Sequence, residues 1–216
     1  MRICVVTHTY PRFASDPVAP FIENFCKGLF ENGNDVFLLA PFDPAFISTN
    51  RGKIKINLYK YIFPKKMHTL GYSRTMIGDH SLRTSVYFLA PLILLFSFIS
   101  LLRLVRQEKI QLISTHWILP NGFIGALVSK ITGIPLVVTI PGSDMYLAKK
   151  IILFRYMAII ALKQAKFIVS NSMEYINEFS RFGIPIKNGI EIPYGINPEM
   201  YKNLLQFRKQ ARKTSG

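Results

Sequence analysis

Polar and glycine residues that could bind a ligand follow several predicted strands of this chain. They are His8, Ser15, Asp16, His116, Asn121, Gly142, Ser143, Asp144 and Ser172. Imidazole and carboxylate groups can hold a substrate or move a proton, and the backbone N–H groups at Gly142 and Ser143 could bind an anion if a helix starts there. If the strands are parallel, all of these residues lie at one carboxyl edge, where open α/β sheets bind ligands.

Each residue also has a structural interpretation. Asn121, Asp144 and Ser172 could cap helices, and His116 could form a hydrogen bond within its loop. Taken singly, the residues fit this structural interpretation better. Taken together at one edge of a sheet, they favour a ligand cleft.

Two of these loops belong to one supersecondary unit. Gln111–Thr115 and Leu136–Ile140 are apolar runs typical of strands, and Gly122–Lys130 has helical spacing that stops at Gly133. A βαβ unit has a right-handed crossover and parallel strands. The unit therefore predicts that His116 and Asp144 lie near each other in space.

The rest of the chain continues the alternation of strands and helices. The predicted strands are Arg2–Thr7, Val36–Ala40, Lys53–Phe63, Phe167–Ser170 and Gly189–Pro193, and the predicted helices are Pro20–Asn32, Val86–Leu102, Met145–Ala165 and Met173–Phe182, with a loop over 64–79. This order predicts an α/β fold with a doubly wound parallel sheet. We expect one domain over 1–198 and a basic tail over 199–216.

Composition narrows the class of protein. Half of the 216 residues are hydrophobic, which excludes a disordered chain. The two cysteines, Cys4 and Cys26, fall in a predicted strand and a predicted helix. They indicate core residues in a reducing compartment rather than a disulfide.

The net charge of +15 is unevenly distributed. No acid lies between Asp43 and Asp79 or between Asp144 and Glu174, and the bases there alternate with large apolar residues. A solvated basic face is one interpretation. The apolar residues favour an anionic membrane surface as a partner, whereas the sequence lacks a nucleic-acid-binding motif.

Val86–Leu102 is the strongest membrane candidate, with 17 uncharged residues. It is shorter than the roughly 20 apolar residues that a spanning helix usually needs, and it contains Pro91. A buried or interfacial helix is therefore favoured over a span. The first residues do not resemble a cleavable signal peptide, because Met1–Thr7 is too short for its apolar region.

Several kinds of site are disfavoured. The first strand is followed by His8 and Pro11 rather than by a G-x-G-x-x-G fingerprint, and the sequence contains neither a P-loop nor a G-x-S-x-G elbow. The four histidines, His8, His68, His80 and His116, lack metal-site spacing. We expect no metal ion and no tightly bound cofactor.

Four stretches resemble, in order, the N-terminal half of retaining GT-B glycosyltransferases of family 4. They are THTYPRF…APFIENFCKGLFENGNDVFLLAP, STHWILPNG…GIPLVVTIPGSD, VSNSMEYINEF and IPYGINPEMY, which together cover nearly the whole chain. The resemblance implies a Rossmann-like N-terminal domain that binds the acceptor and faces a C-terminal domain that binds a nucleotide-sugar. The nucleotide-sugar would be a co-substrate rather than a cofactor.

The resemblance also assigns roles by position. It places Ala14, Ser15 and Asp16 near the donor phosphate or the transferred sugar. It places Phe21 and Asn121 on the acceptor side and His116 on the cleft floor. With Gly142, Ser143 and Ser172 from the same edge, these residues form the expected substrate-binding set.

Two departures from the family pattern bear on activity. Pro141 replaces a histidine that commonly contacts the reacting sugar, which leaves His116 and Asp144 as the candidates for a catalytic role. The usual glycine pair of the first loop is also missing. The 216 residues do not include the family's donor domain with its paired glutamates, so we expect transfer only when a donor domain is supplied.

The resemblance thus implies the acceptor-binding half of a glycosyltransferase that acts on a lipid-linked or surface-glycan acceptor. Its partners would be a nucleotide-sugar, a possible separate donor-domain protein and an anionic membrane. The protein would lie in the cytoplasm on the inner face of that membrane. Two alternatives stay open. One is a non-catalytic membrane-recruiting subunit of a split glycosyltransferase, and the other is a basic nucleic-acid-binding domain.

Overall fold

A computed structural model describes residues 1–13, 16–47, 54–72, 76–77, 81–82, 84–181 and 188–193. Ala14, Ser15, the predicted tail 199–216 and the side chains of Ser143 and Asp144 lie outside the described part. The strands are β1 (Arg2–Val6), β2 (Asp35–Pro41), β3 (Lys55–Tyr59), β4 (Met76–Ile77), β5 (Ser81–Leu82), β6 (Leu112–His116), β7 (Leu136–Ile140), β8 (Phe167–Ser170) and β9 (Gly189–Glu191). The helices are α1 (Pro20–Glu31), α2 (Thr84–Gln107), α3 (Phe123–Thr132), α4 (Ser143–Lys150), α5 (Ile152–Gln164) and α6 (Met173–Arg181).

Seven strands form one parallel sheet in the order β3-β2-β1-β6-β7-β8-β9. The chain runs outward from β1 to β3 and then returns to the other side of β1, where Ile3 pairs with Leu112 and Val6 with Thr115. The predicted doubly wound α/β fold is confirmed. The change of direction between β1 and β6 is the topological switch point, outside which such sheets bind ligands.

Alternate residues of the inner strands sort into two cores, one on each face of the sheet. On the α1 face, Val5 and Leu38 pack against Ile22 and Cys26 of α1. On the α2 face, the alternate residues pack against α2, α3 and α5. Cys4 and Cys26 are buried free thiols, as the sequence predicted.

Helix α2 extends beyond the predicted 86–102 at both ends, with Pro91 inside it. It packs on β2, β3 and α3 through one side, which includes Ile93 and Leu101. Within the described residues it is the single helix long and apolar enough to cross a membrane. Of its most apolar 18-residue window, 28% is buried inside the structure, and the buried or interfacial interpretation stays a prediction.

Two predicted segments differ in the structure. The helix predicted over Met145–Ala165 is two helices, because Ile151 adopts an extended backbone (φ −116°, ψ 114°) between α4 and α5. The break allows Ala148 and Met157, on different helices, to reach the same core. The predicted loop over 64–79 contains a short 3-10 helix, Lys65–Met67, and strand β4, which pairs with β5.

The βαβ unit is confirmed. Strand β6, helix α3 and strand β7 follow one another, and β6 and β7 are parallel with Ile113 opposite Leu136. Gly133 ends α3 in the left-handed conformation (φ 74°), as its position predicted. The loops after His116 and Ile140 therefore share one edge of the sheet.

Candidate functional site

The turn after β1 is held by both backbone and side-chain hydrogen bonds. The Thr7 backbone N–H donates to the carbonyl of Leu39 at 3.0 Å, and the Thr7 hydroxyl donates to the carbonyl of Thr9 at 2.8 Å. The Tyr72 N–H donates to the carbonyl of His8 at 3.2 Å from the segment that crosses this edge. These bonds fix His8 at the carboxyl end of β1.

His8 meets two residues of the loop after β6. Its ring lies against the indole of Trp117, with 4.3 Å between centroids. The Asn121 amide nitrogen donates to the His116 carbonyl at 2.7 Å and lies 3.1 Å from His8 Nδ1. Because that nitrogen can only donate, His8 Nδ1 accepts and the ring proton lies on Nε2. The two loops are thus joined across the switch point.

Trp117 holds an unusual backbone conformation for a residue with a side chain. Its φ is 68° and its ψ is 138°. The strain is maintained because its N–H donates to Thr139 at 2.9 Å and its carbonyl accepts from Gly122 at 3.0 Å. Such strain clusters at functional sites. The sequence reasoning missed Trp117, although a lone tryptophan directly after a strand at this edge was the available signal.

His116, the last residue of β6, is buried at 1% exposure. Phe25 contacts its ring edge-on, with 4.7 Å between centroids. Neither ring nitrogen has a hydrogen-bond partner among the described residues, so the expected loop hydrogen bond of the imidazole is not found there. Desolvation lowers the pKa of His116 to about 3 and that of His8 to about 4, so both rings are neutral at pH 7.

A groove of about 400 Å³ lies on the α1 face beside His116. Helix α1 forms one wall with Phe21, Phe25 and Leu29. The floor is formed by side chains of β6, β7 and β8, and the far end by Ile192 and Pro193. The lining is mostly apolar, and Phe21 also contacts Trp117 at 5.9 Å between ring centroids. The groove therefore begins beside the His8–Trp117 pair.

Asp16 organises the loop before α1. Its carboxylate accepts bonds from the Arg12 guanidinium at 2.6 and 3.1 Å and from the backbone N–H groups of Arg12 and Val18 at 2.9 and 3.1 Å. The hydrogen bonds from Arg12 hold the pKa of Asp16 down at about 2. The Asp16 carboxylate thus forms these interactions within the loop, where it positions the guanidinium group of Arg12.

The edge beyond β7 is shaped by a close contact. Gly142 has φ 122°, and a Cβ there would lie 2.8 Å from the hydroxyl oxygen of Tyr175. Gly142 precedes α4, so the first turn of that helix, with Ser143 and Asp144, is at the predicted edge. Ser172 accepts from the Glu174 N–H at 3.2 Å, which makes it a cap of α6, as its structural interpretation held.

The described edge combines two neutral imidazoles, an amide and two aromatic rings in Trp117 and Phe21. Within the part of the chain that the structure describes, His, Cys, Asp and Glu do not gather into a group of three that could hold a metal ion. The available chemistry is hydrogen bonding and ring stacking. It suits a ligand with several hydroxyl groups and an apolar side.

Comparison with known proteins places the chain in a family. Residues 18–200 match the family described as Glycosyltransferase Family 4. Among curated proteins, none matches the sequence.

Solved structures share the fold at low sequence identity. HepE from Anabaena, in complex with UDP, is 16% identical with a TM-score of 0.62, and the match covers 98% of this chain and 50% of HepE. Sucrose-phosphate synthase from Thermosynechococcus elongatus is 14% identical with a TM-score of 0.62 and full coverage of both chains. The lipopolysaccharide outer core galactosyltransferase WaaB is 10% identical with a TM-score of 0.57, covering 91% of this chain and 46% of WaaB. The chain thus spans about half the length of HepE and WaaB.

Proposed function

The chain belongs to glycosyltransferase family 4, and on that premise we propose that its domain is the acceptor-binding part of a glycosyltransferase. The match over residues 18–200 is the observation that carries this proposal. The acceptor is a lipid-linked or surface glycan, and the donor is a nucleotide-sugar. HepE, which shares the fold, is known in complex with UDP-glucose.

The acceptor site lies at the carboxyl ends of β1, β6 and β7. Trp117 and Phe21 stack against the sugar rings, while Asn121 and His8 bind hydroxyl groups. Their contacts support this role, because Asn121 links the loops after β1 and β6. Gly142, Ser143 and Ser172 extend the site toward β8. We assign Ala14, Ser15 and Asp16 to contact with the donor, where Asp16 acts by positioning Arg12.

His116 and Asp144 are the proposed catalytic residues in place of the histidine that Pro141 replaces. The depressed pKa of His116 fits a neutral hydrogen-bonding group better than a general acid. A leaving diphosphate needs positioning and charge stabilisation. We assign these to a donor-binding domain, either in a longer form of this chain or in a separate protein.

A second candidate function is a non-catalytic subunit that recruits a partner glycosyltransferase to the membrane. Pro141 is the residue that favours it, because proline can neither donate from its backbone nor replace an imidazole. In both candidates the domain works in the cytoplasm at the inner face of the membrane. The two differ in whether the cleft residues affect sugar transfer.

Trp117 provides a direct test, since it is the single tryptophan of the chain. The chain is titrated with a short-chain polyprenyl-phosphate-linked sugar while tryptophan fluorescence is recorded. We expect a saturable change, and we expect Asn121→Ala to weaken binding by about tenfold through the loss of a hydrogen bond. Asn57→Ala, whose side chain bonds only the Lys55 carbonyl in the described structure, is the matched control.

Transfer is tested by adding the donor domain of a family member together with its nucleotide-sugar. Transfer that depends on Asn121 and His116 supports the enzyme. Binding without transfer supports the recruiting subunit. If Trp117 does not respond to any lipid-linked sugar and transfer is also absent, the proposed acceptor site is wrong.

A further inference from the structure

The outward side of α2 is unusually apolar for a helix that packs on a sheet. Ile93, Ser97 and Leu101 face the core. Phe88 on the opposite side is 77% exposed. Its exposed apolar neighbours on the same helix are Tyr87, Leu95 and Phe96. The helix therefore has an apolar surface on both sides, which an ordinary solvent-facing amphipathic helix lacks.

Helix α5 repeats this pattern two helices away. Its exposed side includes Ile152, Leu153, Tyr156 and Ile160. Helix α3 lies between and packs against both α2 and α5, and it exposes Ile131. Together with α6, whose Phe179 packs in the same core, these three helices cover one face of the sheet, so their exposed apolar side chains lie on one side of the domain. That extent exceeds the scattered exposed leucine or phenylalanine of a typical surface.

The same helices are entirely free of acidic residues. Helices α2, α3 and α5 contain no Asp or Glu, and they carry Arg103, Arg106, Lys130, Arg155 and Lys163. Helix α1, on the opposite face, carries both Glu23 and Glu31. Helix α6 on the same face carries Glu174 and Glu178 beside Arg181. The positive charge is thus concentrated on α2, α3 and α5, the three helices with the exposed apolar residues.

A third element is the segment after β3, whose flanking residues Tyr61 and Leu70 pack in the same core as α2. Phe63 is 87% exposed, and Met67 is also exposed. Between them, Lys65 and Lys66 form most of a short 3-10 helix. An exposed phenylalanine and methionine beside two lysines match the pattern by which proteins insert into the interface of an anionic bilayer.

The topology places the most apolar parts of this surface at one end. Strand β3 ends at the carboxyl edge of the sheet, so the segment 63–67 and the start of α2 lie at that edge. Helix α5 follows β7 and α4, and its start with Ile152 and Leu153 is at the same edge. Arg103 and Arg106 lie toward the opposite end of α2. The apolar end is therefore on the side of the His8–Trp117 cleft.

We propose that this surface, which comprises residues 63–67 and the exposed sides of α2, α3 and α5, binds an anionic lipid bilayer with the cleft edge turned toward it. Apolar side chains enter the headgroup region, and the bases at the cleft end of the surface, Lys65, Lys66 and Arg155, contact anionic headgroups. The inference builds on the proposed function. In this orientation an acceptor reaches the cleft while its lipid tail stays in the membrane, so the domain selects acceptors that carry such a tail.

Vesicle flotation of the full chain tests the surface. We expect binding to vesicles of phosphatidylcholine mixed with phosphatidylglycerol, weaker binding at high salt, and little binding to phosphatidylcholine alone. The variant Phe63→Ser/Phe88→Ser/Leu153→Ser should bind anionic vesicles at least about tenfold less tightly. Ile190→Ser, an exposed apolar residue on edge strand β9, is the matched control and should bind as the original chain does.

Folding of each variant is checked by urea denaturation, which exposed substitutions should leave almost unchanged. Binding of the triple variant equal to that of the original chain would overturn the proposal. Retention on random duplex DNA without vesicle binding would overturn it too, in favour of nucleic acid. Stable dimers that bury Phe88 without vesicle binding would assign the surface to a second copy.

Reporter tryptophans test the orientation. In a Trp117→Phe background, Phe63→Trp and Leu153→Trp should be quenched by brominated lipids, whereas Ile190→Trp should not. Quenching of all three to the same extent would exclude the proposed orientation. This test of membrane binding does not depend on the proposed acceptor site. The reporter tryptophans detect lipid, whereas Trp117 in the unaltered chain detects the sugar ligand.

Discussion

The two faces of the sheet are covered by helices of different character. On the α1 face, a single helix buries Ile22 and Cys26 and exposes Lys27 and Glu31. On the α2 face, helices bury one apolar side and expose another. In both arrangements apolar side chains cover the sheet, as a parallel sheet requires on each of its faces. The difference shows that burial alone does not account for the apolar residues of α2, whose outer side must be explained by what it contacts.

The largest expected effect separates the two sides of α2. Leu101 is fully buried and Leu95 is 52% exposed on the same helix. Leu101→Ala should lower the free energy of unfolding by about 3 kcal/mol because it leaves a cavity, whereas Leu95→Ala should change it by less than about 0.5 kcal/mol. Urea denaturation measures both. Equal losses would mean that Leu95 supports the fold and not an external contact.

Two helical glycines show how tightly the helices pack on the two faces of the sheet. A Cβ on Gly125 of α3 would lie 2.6 Å from Thr115 Cγ2 and 2.9 Å from Leu136 Cδ1, whereas a Cβ on Gly28 of α1 would meet nothing within 4 Å. Gly125→Ala should therefore destabilise the protein by about 2 kcal/mol through overpacking.

Gly28→Ala should stabilise the protein by about 0.5 to 1 kcal/mol, because alanine favours the helix. Thermal unfolding of the two variants gives the sign of each change. A stabilising Gly125→Ala would show that α3 can move away from the sheet, and the contrast between the faces would then be lost.

The effect that is smallest at pH 7, and grows only as the pH falls, concerns the pH response of the groove on the α1 face. The pKa of His116 is lowered from 6.5 to about 3 in the folded protein. Between those values the unfolded chain binds a proton that the folded chain does not, so stability falls as the pH drops below 6.5. In His116→Gln this loss should be smaller by up to about 1.4 kcal/mol per pH unit.

Urea denaturation at pH 7, 6 and 5 follows that response. His8→Gln serves as a comparator, because burial also lowers the pKa of His8, to about 4, so its removal should likewise reduce the acid sensitivity over this pH range. If His116→Gln keeps the full acid sensitivity of the original chain, then His116 is not held neutral by burial.

Patterns with a local physical cause were predictable from the sequence. The apolar runs of β6 and β7 and the left-handed Gly133 defined the βαβ unit, and the alternation of elements defined the sheet. The break at Ile151 was not predictable. That residue is not a glycine or proline, and the break arises because Ala148 and Met157 pack into one core.

The positions of the candidate residues in the fold were predictable from the sequence, whereas their roles stay predictions. His116, Asn121 and Phe21 are at the expected edge, and Asn121 forms a bridge between loops as well as lying near a helix start. The positive φ of Trp117 depends on hydrogen bonds to Thr139 and Gly122, which no local pattern indicates. Asp144 and Ser143 stay predictions, since their side chains lie outside the described part.

The position of β1 has a consequence for how the chain is made. Among the described strands it is synthesised first, yet it lies inside the sheet between β2 and β6. One edge can pair as soon as β2 emerges, while the other stays open until Leu112–His116 has emerged from the ribosome. During that interval the nascent chain presents an apolar strand edge together with the whole of α2. The emergence of β6 therefore covers the open edge of β1, and we expect slow translation before this step to favour aggregation of the growing chain.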